Sequence, residues 1–292
     1  MSLTIGAAIE KTTAYFTSKG IPSARLDAEL LLAHILGLDR VGLYVNYDRP
    51  LTSGEIDAYR AVIARRGARE PLAYITGHKE FYGLDLLVNP AVLIPRPETE
   101  LLVEAVLQYL ESVSGGPDGA EIPVAEIGIG SGAISIALAK QAPQVRIWAS
   151  DISAEALDVA AHNVARHGVE GQVVLSVGPY FSGVPDNLKG KLKVVVSNPP
   201  YLSEQELSET EPEVQREPKI ALVGGQDGLA VYRRIISEAP SWLAEGGLLA
   251  LEIGARQAAE IIALLAETGA FAPPEVRTDY AGFDRIVLAY KC

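Results

Sequence analysis

From Ile122 to Tyr290, short apolar and β-branched runs alternate with stretches of helical periodicity, and no other feature constrains the fold of this chain as tightly. Strands are expected at Val124 to Ile127, Val145 to Ser150, Val173 to Val177, Lys193 to Ser197, Leu248 to Ile253, Glu275 to Thr278 and Arg285 to Tyr290. Helices are expected from Ser131, from Ser153 and over Arg256 to Glu267. Strands separated by helices are parallel strands joined by crossovers, so the class is α/β. Ligands of an open α/β sheet bind at the carboxyl ends of its strands, which draws attention to two strand-end turns, Glu126 to Gly132 and Asn198 to Tyr201.

The second turn reads Asn198-Pro199-Pro200-Tyr201. Consecutive prolines fix φ and remove two N–H donors, which leaves a stiff turn whose carbonyls act as acceptors. Asn198 adds an acceptor oxygen and an NH2 donor, and Tyr201 adds an aromatic face. Such a set suits a planar group bearing NH2 beside a carbonyl or a ring nitrogen. Asn198, Pro199 and Tyr201 are the candidate catalytic residues, and Asn198 to Tyr201 the candidate substrate site.

The first turn, Glu126-Ile127-Gly128-Ile129-Gly130-Ser131-Gly132, lets the backbone approach a ligand closely. Its glycines, followed by Asp151, also satisfy a dinucleotide fingerprint. A carboxylate at Glu126 suits the ammonium of a methionine moiety and would repel a pyrophosphate, which favours S-adenosylmethionine over NAD. Asp151 is placed to hold a ribose diol through charge-assisted hydrogen bonds, or else to serve as a helix N-terminal residue. Tyr180 and Phe181 follow the third strand; either ring is a candidate cover for adenine or a core residue.

Residues 1–70 carry helical periodicity and no convincing strand, so a small helical domain for substrate docking is expected. Ser23 is a candidate cap for a helix ending at Gly37, Thr52 and Glu55 form a capping-box pattern, and Arg65-Arg66 reads as a solvated helix end. Residues 71–97 read as a β-hairpin linker, with Glu80 to Tyr82 and Leu86 to Val88 flanking Gly83-Leu84-Asp85. Arg96 is a candidate to reach a carboxylate or to pin this linker to the next domain, the second being favoured, and the third domain covers 98–292. Ser112 to Ala120 reads as a flexible connector, and Ser203 to Pro218, with six glutamates and one arginine, as an exposed mobile loop.

A net charge of −12 argues against holding nucleic acid by its phosphates. The single cysteine, Cys292, excludes a disulfide framework, and His162 and His167 miss the i, i+4 spacing of a helical metal pair, so no metal is expected. Met1-Ser2-Leu3-Thr4 lacks a signal-peptide pattern and no apolar run is long enough to span a bilayer; a cytoplasmic protein without a membrane partner is expected.

Taken together, Arg69 to Gly77, Glu80-Phe81-Tyr82-Gly83, Ile94 to Glu100, the Gly turn, Ser197 to Tyr201, Asp227-Gly228-Leu229 and Leu251-Glu252-Ile253-Gly254 resemble the HemK/PrmC family of release-factor glutamine N5-methyltransferases over nearly the whole chain. The resemblance implies a helical domain, a hairpin linker and a Rossmann-like methyltransferase domain whose mainly parallel sheet carries a late antiparallel strand. It implies an S-adenosylmethionine-dependent enzyme that methylates the glutamine of the Gly-Gly-Gln motif of a translation release factor, its partner in termination. By position, Glu126, Gly128, Ile129, Gly130, Ser131, Gly132, Asp151, Tyr180 and Asn198 would hold the cofactor, and Asn198 to Tyr201 the substrate amide. The sequence departs from the family at Glu126, where Asp is commoner, and at Pro179, where the family often has Asp. Gly224-Gly225-Gln226 copies the substrate tripeptide inside the enzyme and is read as coincidence. Competing expectations are a ribosomal-protein glutamine methyltransferase, a DNA adenine N6-methyltransferase and a non-catalytic nucleotide-binding module.

Overall fold

The computed structural model describes residues 3–113 and 121–292. The chain divides into two compact units, one made of residues up to His78 together with Glu211–Arg216, the other of Lys79–Thr210 and Glu217–Cys292. Of the expected connector, Ser112 and Val113 close a helix, and 114–120 lie outside the described residues, as do Met1 and Ser2.

The first unit is helical: α1 (Ile5–Ser18), α2 (Ala24–Leu36), α3 (Arg40–Val45), α4 (Ser53–Gly67) and α5 (Leu72–Thr76). Ile5, Ile9, Phe16, Leu31, Leu32 and Leu43 are among the fully buried side chains of its core. The Thr52/Glu55 capping box opens α4, and Gly37 ends α2 in the left-handed region, at φ 64°. Ser23 stands at the start of α2 but makes no backbone cap; its hydroxyl donates to Asp27 Oδ1 at 2.7 Å. Arg65 is half exposed, whereas Arg66 corrects the expected solvated helix end. Its guanidinium is buried and donates to Asp27 Oδ2 at 2.7 Å and to Glu213 Oε1 at 2.8 Å. Glu213 comes from the acidic stretch expected to be mobile, and it also accepts from Arg69 at 2.6 Å. Buried cations need such partners, and two acidic residues far apart in sequence supply them here.

The second unit begins at Lys79, inside the hairpin β1 (His78–Phe81) and β2 (Leu84–Leu87). Its turn is Tyr82-Gly83, one position before the expected one, with φ of 52° and 73°. Two consecutive residues at positive φ match the twist of a two-residue hairpin loop. The strain at Tyr82 is offset locally: its N–H donates to Glu100 Oε1 at 2.9 Å, and the Gly83 N–H to Glu80 Oε1 at 2.6 Å.

The remaining elements are α6 (Thr99–Val113), β3 (Ile122–Ile127), α7 (Ala133–Gln141), β4 (Val145–Asp151), α8 (Ala154–Arg166), β5 (Val173–Val177), β6 (Leu192–Ser197), α9 (Glu204–Glu209), α10 (Lys219–Leu222), α11 (Ala230–Trp242), β7 (Leu243–Glu252), α12 (Ala258–Thr268), β8 (Glu275–Thr278) and β9 (Asp284–Tyr290). Seven strands form one sheet in the order β5-β4-β3-β6-β7-β9-β8. β3 to β7 pair in parallel, and β9 runs antiparallel to both β7 and β8. Side-chain alternation splits the strands between two cores. Val124, Val194, Val196 and Leu248 pack with α6, α7 and α8 on one face; Ala125, Val195, Leu249 and Leu251 pack with α11 and α12 on the other. Burial on both faces is why these strands read as continuous apolar runs.

Strand order reverses between β3 and β6, so the chain leaves these neighbours in opposite directions across the sheet. A crevice opens at the carboxyl ends of such a pair, and the two turns singled out in the sequence both sit there. The acidic stretch is also more ordered than expected in this unit. α9 carries a capping box from Ser203 and Glu206, and Glu217 is buried, accepting from Ile94 N–H at 3.0 Å and Arg96 Nη2 at 2.5 Å. Arg96 thus pins the segment ahead of α6, as expected. No described helix is long and apolar enough to cross a membrane.

Candidate active site

A cavity of about 250 Å³ occupies the crevice, lined by residues of the Gly turn, by Glu126, Asp151 and Tyr180, and by Asn198, Pro199 and Pro200. Gly128, Gly130 and Gly132 all lie at positive φ, 76°, 55° and 89°, so the turn that joins β3 to α7 needs glycine at each. A Cβ built on Gly128 or Gly130 would meet nothing within 4 Å; the backbone is bare toward the cavity. Ile129 and Ser131 are buried beside it, and Ser131 is tied down from behind. The fully buried Asn163 of α8 donates to the Ser131 carbonyl at 2.8 Å and exchanges two hydrogen bonds with the backbone of Leu87. One amide side chain therefore fixes the turn and the hairpin together. The sequence signal for this role is a lone Asn on the apolar face of α8.

Glu126 is one residue from the end of β3 and is fully buried, with the Ser135 hydroxyl of α7 donating to its carboxyl. Burial pushes its pKa up to about 8, against the Ser135 hydrogen bond and with a smaller contribution from Asp151 nearby. Asp151 ends β4 and fills the second role weighed for it, at the start of α8. Its Oδ2 accepts from Gly130 N–H and its Oδ1 from Ser153 N–H, each at 3.0 Å, so the carboxylate clamps the turn to the start of α8. Each oxygen keeps a further lone pair for a ligand.

Tyr180 and Phe181 are placed differently. Phe181 is core, stacked on Trp242 with ring centroids 5.4 Å apart. Tyr180 lines the cavity with Gly178 and Pro179, at φ 50°, its carbonyl accepting from the Ser150 hydroxyl and the Arg234 guanidinium 5.4 Å from its ring centroid.

Asn198 follows β6 directly, and its Nδ2 donates to Thr99 Oγ1 at 3.2 Å. Tyr201 does not join Asn198, Pro199 and Pro200 at the cavity. Its ring packs on the core below α11 and α12, where burial pushes the phenol up to about 12, and its carbonyl accepts from Gln257 Nε2 at 3.0 Å. Of the two tyrosines, Tyr180 is the one that lines the cavity. Gly224 explains the internal Gly-Gly-Gln: a Cβ there would overlap the Pro200 carbonyl oxygen, and its own carbonyl accepts from Ala230 N–H at 2.9 Å. The glycine backs the proline turn and is needed for packing.

The donor set discriminates among ligands. Glu126 and Asp151 are acidic, and Arg96, the one basic side chain lining the cavity among the described residues, is already paired with Glu217. The Asp151 carboxylate opposes a pyrophosphate, and Glu126, neutral while the pocket is free, can ionise against a bound cation. No group of three or more side chains suited to a metal occurs among the described residues.

Residues 7–77 match the PrmC N-terminal domain, and residues 99–216 the methyltransferase small domain. The chain is 43% identical to the release factor glutamine methyltransferase of Geobacter sulfurreducens, over 97% of this chain and 95% of that protein. It is 42% identical to the protein of the same name from Chlorobaculum tepidum, over 95% and 94%. The solved hMettl16 catalytic domain in complex with MAT2A 3'UTR hairpin 6 shares the fold, with a TM-score of 0.57 at 16% identity over 79% of this chain and 81% of that one. Identity at this level along almost the full length leaves one assignment: the chain belongs to the release factor glutamine methyltransferase family.

Proposed function

We propose that this protein transfers a methyl group from S-adenosylmethionine to the side-chain amide nitrogen of the glutamine in the Gly-Gly-Gln motif of a translation release factor. The observation that carries it is the meeting of an acidic, glycine-walled pocket with the Asn198-Pro199-Pro200 turn in one cavity. S-adenosylmethionine, when bound, supplies an electrophilic methyl on a sulfonium. Glu126 would hold the ammonium, Asp151 the ribose hydroxyls, Gly128 to Gly132 the methionine segment, and Tyr180 the adenine face.

An amide nitrogen is a poor nucleophile because its lone pair is delocalised into the carbonyl. Asn198 Oδ1 and the Pro199 carbonyl are the acceptors this chain offers to the substrate NH2. Two acceptors fix its orientation and stabilise the positive charge that grows on nitrogen. The prolines have no N–H to compete for these oxygens, and their rigidity keeps the acceptors in place before substrate arrives.

Asp151→Ala is expected to weaken cofactor binding by roughly 1.5–3 kcal/mol through loss of charged hydrogen bonds. Calorimetry checks this, and unchanged affinity removes Asp151 from the cofactor site. The substrate is tested by labelled methyl transfer to a purified release factor, which should stop when the Gly-Gly-Gln glutamine is replaced. Transfer to a ribosomal protein or to DNA instead would sink the assignment. A folded factor should outperform a short Gly-Gly-Gln peptide, because a helical docking domain adds remote binding energy only to a partner it can grip. Equal efficiency on the peptide would remove that role from residues 1–70.

A further inference from the structure

Thr99, Asn198 and Glu252 are far apart in the sequence, and the fold joins them in one chain that runs from the partly buried Asn198 to the buried Glu252. Asn198 Nδ2 donates to Thr99 Oγ1 at 3.2 Å, and the Thr99 hydroxyl donates to Glu252 Oε2 at 2.6 Å. Thr99 opens α6 and Glu252 ends β7; both are almost wholly inaccessible to solvent. Thr99 also lines the cavity. Among the described residues no hydrogen bond engages Asn198 Oδ1. The mechanism above uses Asn198 and leaves Thr99 and Glu252 without a task.

A half-turn about the last side-chain bond of an asparagine exchanges its oxygen and its NH2 at almost no cost in shape. Only one of the two arrangements can accept a hydrogen bond from a substrate NH2. The Thr99 hydroxyl carries a single proton, and an ionised carboxylate has none to give. Glu252 therefore takes the hydroxyl proton, and the Thr99 oxygen is left as an acceptor that only Nδ2 can fill. We propose that Thr99 and Glu252 are positioning residues for methyl transfer, holding the Asn198 amide with Oδ1 toward the substrate nitrogen. This rests on the glutamine amide being the substrate group.

The relay depends on the charge of Glu252. The groups facing it are Arg285 of β9, which is paired with Asp279, Arg96 and Glu98 ahead of α6, Tyr201 after β6, and Tyr232 of α11. Burial raises the Glu252 carboxyl to about 7; the Thr99 hydrogen bond and Arg285 oppose the rise, Glu98 adds to it and Arg96 lowers it. Once protonated, Glu252 donates to Thr99, the hydroxyl proton is released toward Asn198, and the reversed amide fits equally well. Turnover should thus fall as pH drops through about 7, a limb that needs the Thr99 hydroxyl.

The test uses the full-length enzyme with saturating cofactor and release factor, and compares Thr99→Val with Thr99→Ser. Thr99→Val is expected to lower kcat by about tenfold to a hundredfold with cofactor affinity and the KM for the factor preserved, and Thr99→Ser to restore most of it. The acid limb of kcat should be present in the wild type and flat in Thr99→Val. In the free enzyme, the side-chain amide NMR signal of Asn198 should move with pH in the wild type and stay still in Thr99→Val. Wild-type kcat in Thr99→Val, equal losses in both variants, or an Asn198 signal indifferent to pH would overturn the relay. If the wild type modifies no release factor, the functional assignment fails by itself, and the NMR titration still decides whether the relay exists.

Discussion

Replacing Asn198 with alanine is expected to lower methyl transfer by about two orders of magnitude or more while cofactor binding stays nearly intact. The asymmetry follows from where Asn198 sits. Its Nδ2 is engaged by Thr99, and its Oδ1 is the only side-chain acceptor that the proline turn presents to an incoming NH2. In the proposed site, ground-state affinity for the cofactor would rest on Glu126, Asp151 and the glycine turn, on β3, β4 and the approach to α7. An acceptor that stabilises charge developing on nitrogen acts mainly in the transition state, so its loss lowers kcat and kcat/KM together. Calorimetry with S-adenosylmethionine and single-turnover transfer to the release factor separate the two effects. Near-wild-type transfer by Asn198→Ala would dismiss the amide clamp. A parallel loss of cofactor affinity would instead place Asn198 chiefly in the cofactor site.

What could be read in the sequence was local. Alternating strands and helices, the capping box at Thr52, the terminating Gly37 and both strand-end turns depend on residues within a few positions of one another. The misjudged features depend on partners remote in the chain. Arg66 looks like a solvated helix end until Asp27 and Glu213 are brought to it, and Glu217 looks like one more surface glutamate until Ile94 and Arg96 close over it. Tyr201 follows the prolines so closely that a place at the ligand seemed natural, but the turn sends its ring into the core. α11 has no counterpart among the expected elements, although Tyr232, Ile235, Ile236 and Ala239 have helical spacing; Pro240 in its last turn interrupts the pattern. The relay from Asn198 through Thr99 to Glu252 joins three separate motifs, and only packing shows that they are one device.

Glu126→Gln is expected to weaken S-adenosylmethionine binding by about 3 kcal/mol or more at pH 8.5, because it leaves a buried ammonium without its counter-charge. Two opposite pH trends identify the group responsible. In the free protein the carboxyl is held neutral by burial, with a folded pKa of about 8 against an ordinary value of 4.5. A folded pKa raised in this way contributes stability that is full below pH 4.5 and is lost as pH rises toward about 8. Cofactor binding runs the other way. An ammonium requires the carboxylate, so below about pH 8 binding must expel a proton, and affinity climbs with pH by up to about tenfold per unit until the group is ionised. Glu252, raised to about 7, shares the lower part of the stability trend, which makes the interval between pH 7 and 8 the diagnostic one. Thermal unfolding across that interval should show the free wild type losing stability while the cofactor-saturated complex, in which Glu126 is ionised as it is in the unfolded chain, stays level, and Glu126→Gln should flatten the slope of the free protein there. Slopes unchanged by the substitution would mean that Glu126 neither titrates in this range nor faces the ammonium.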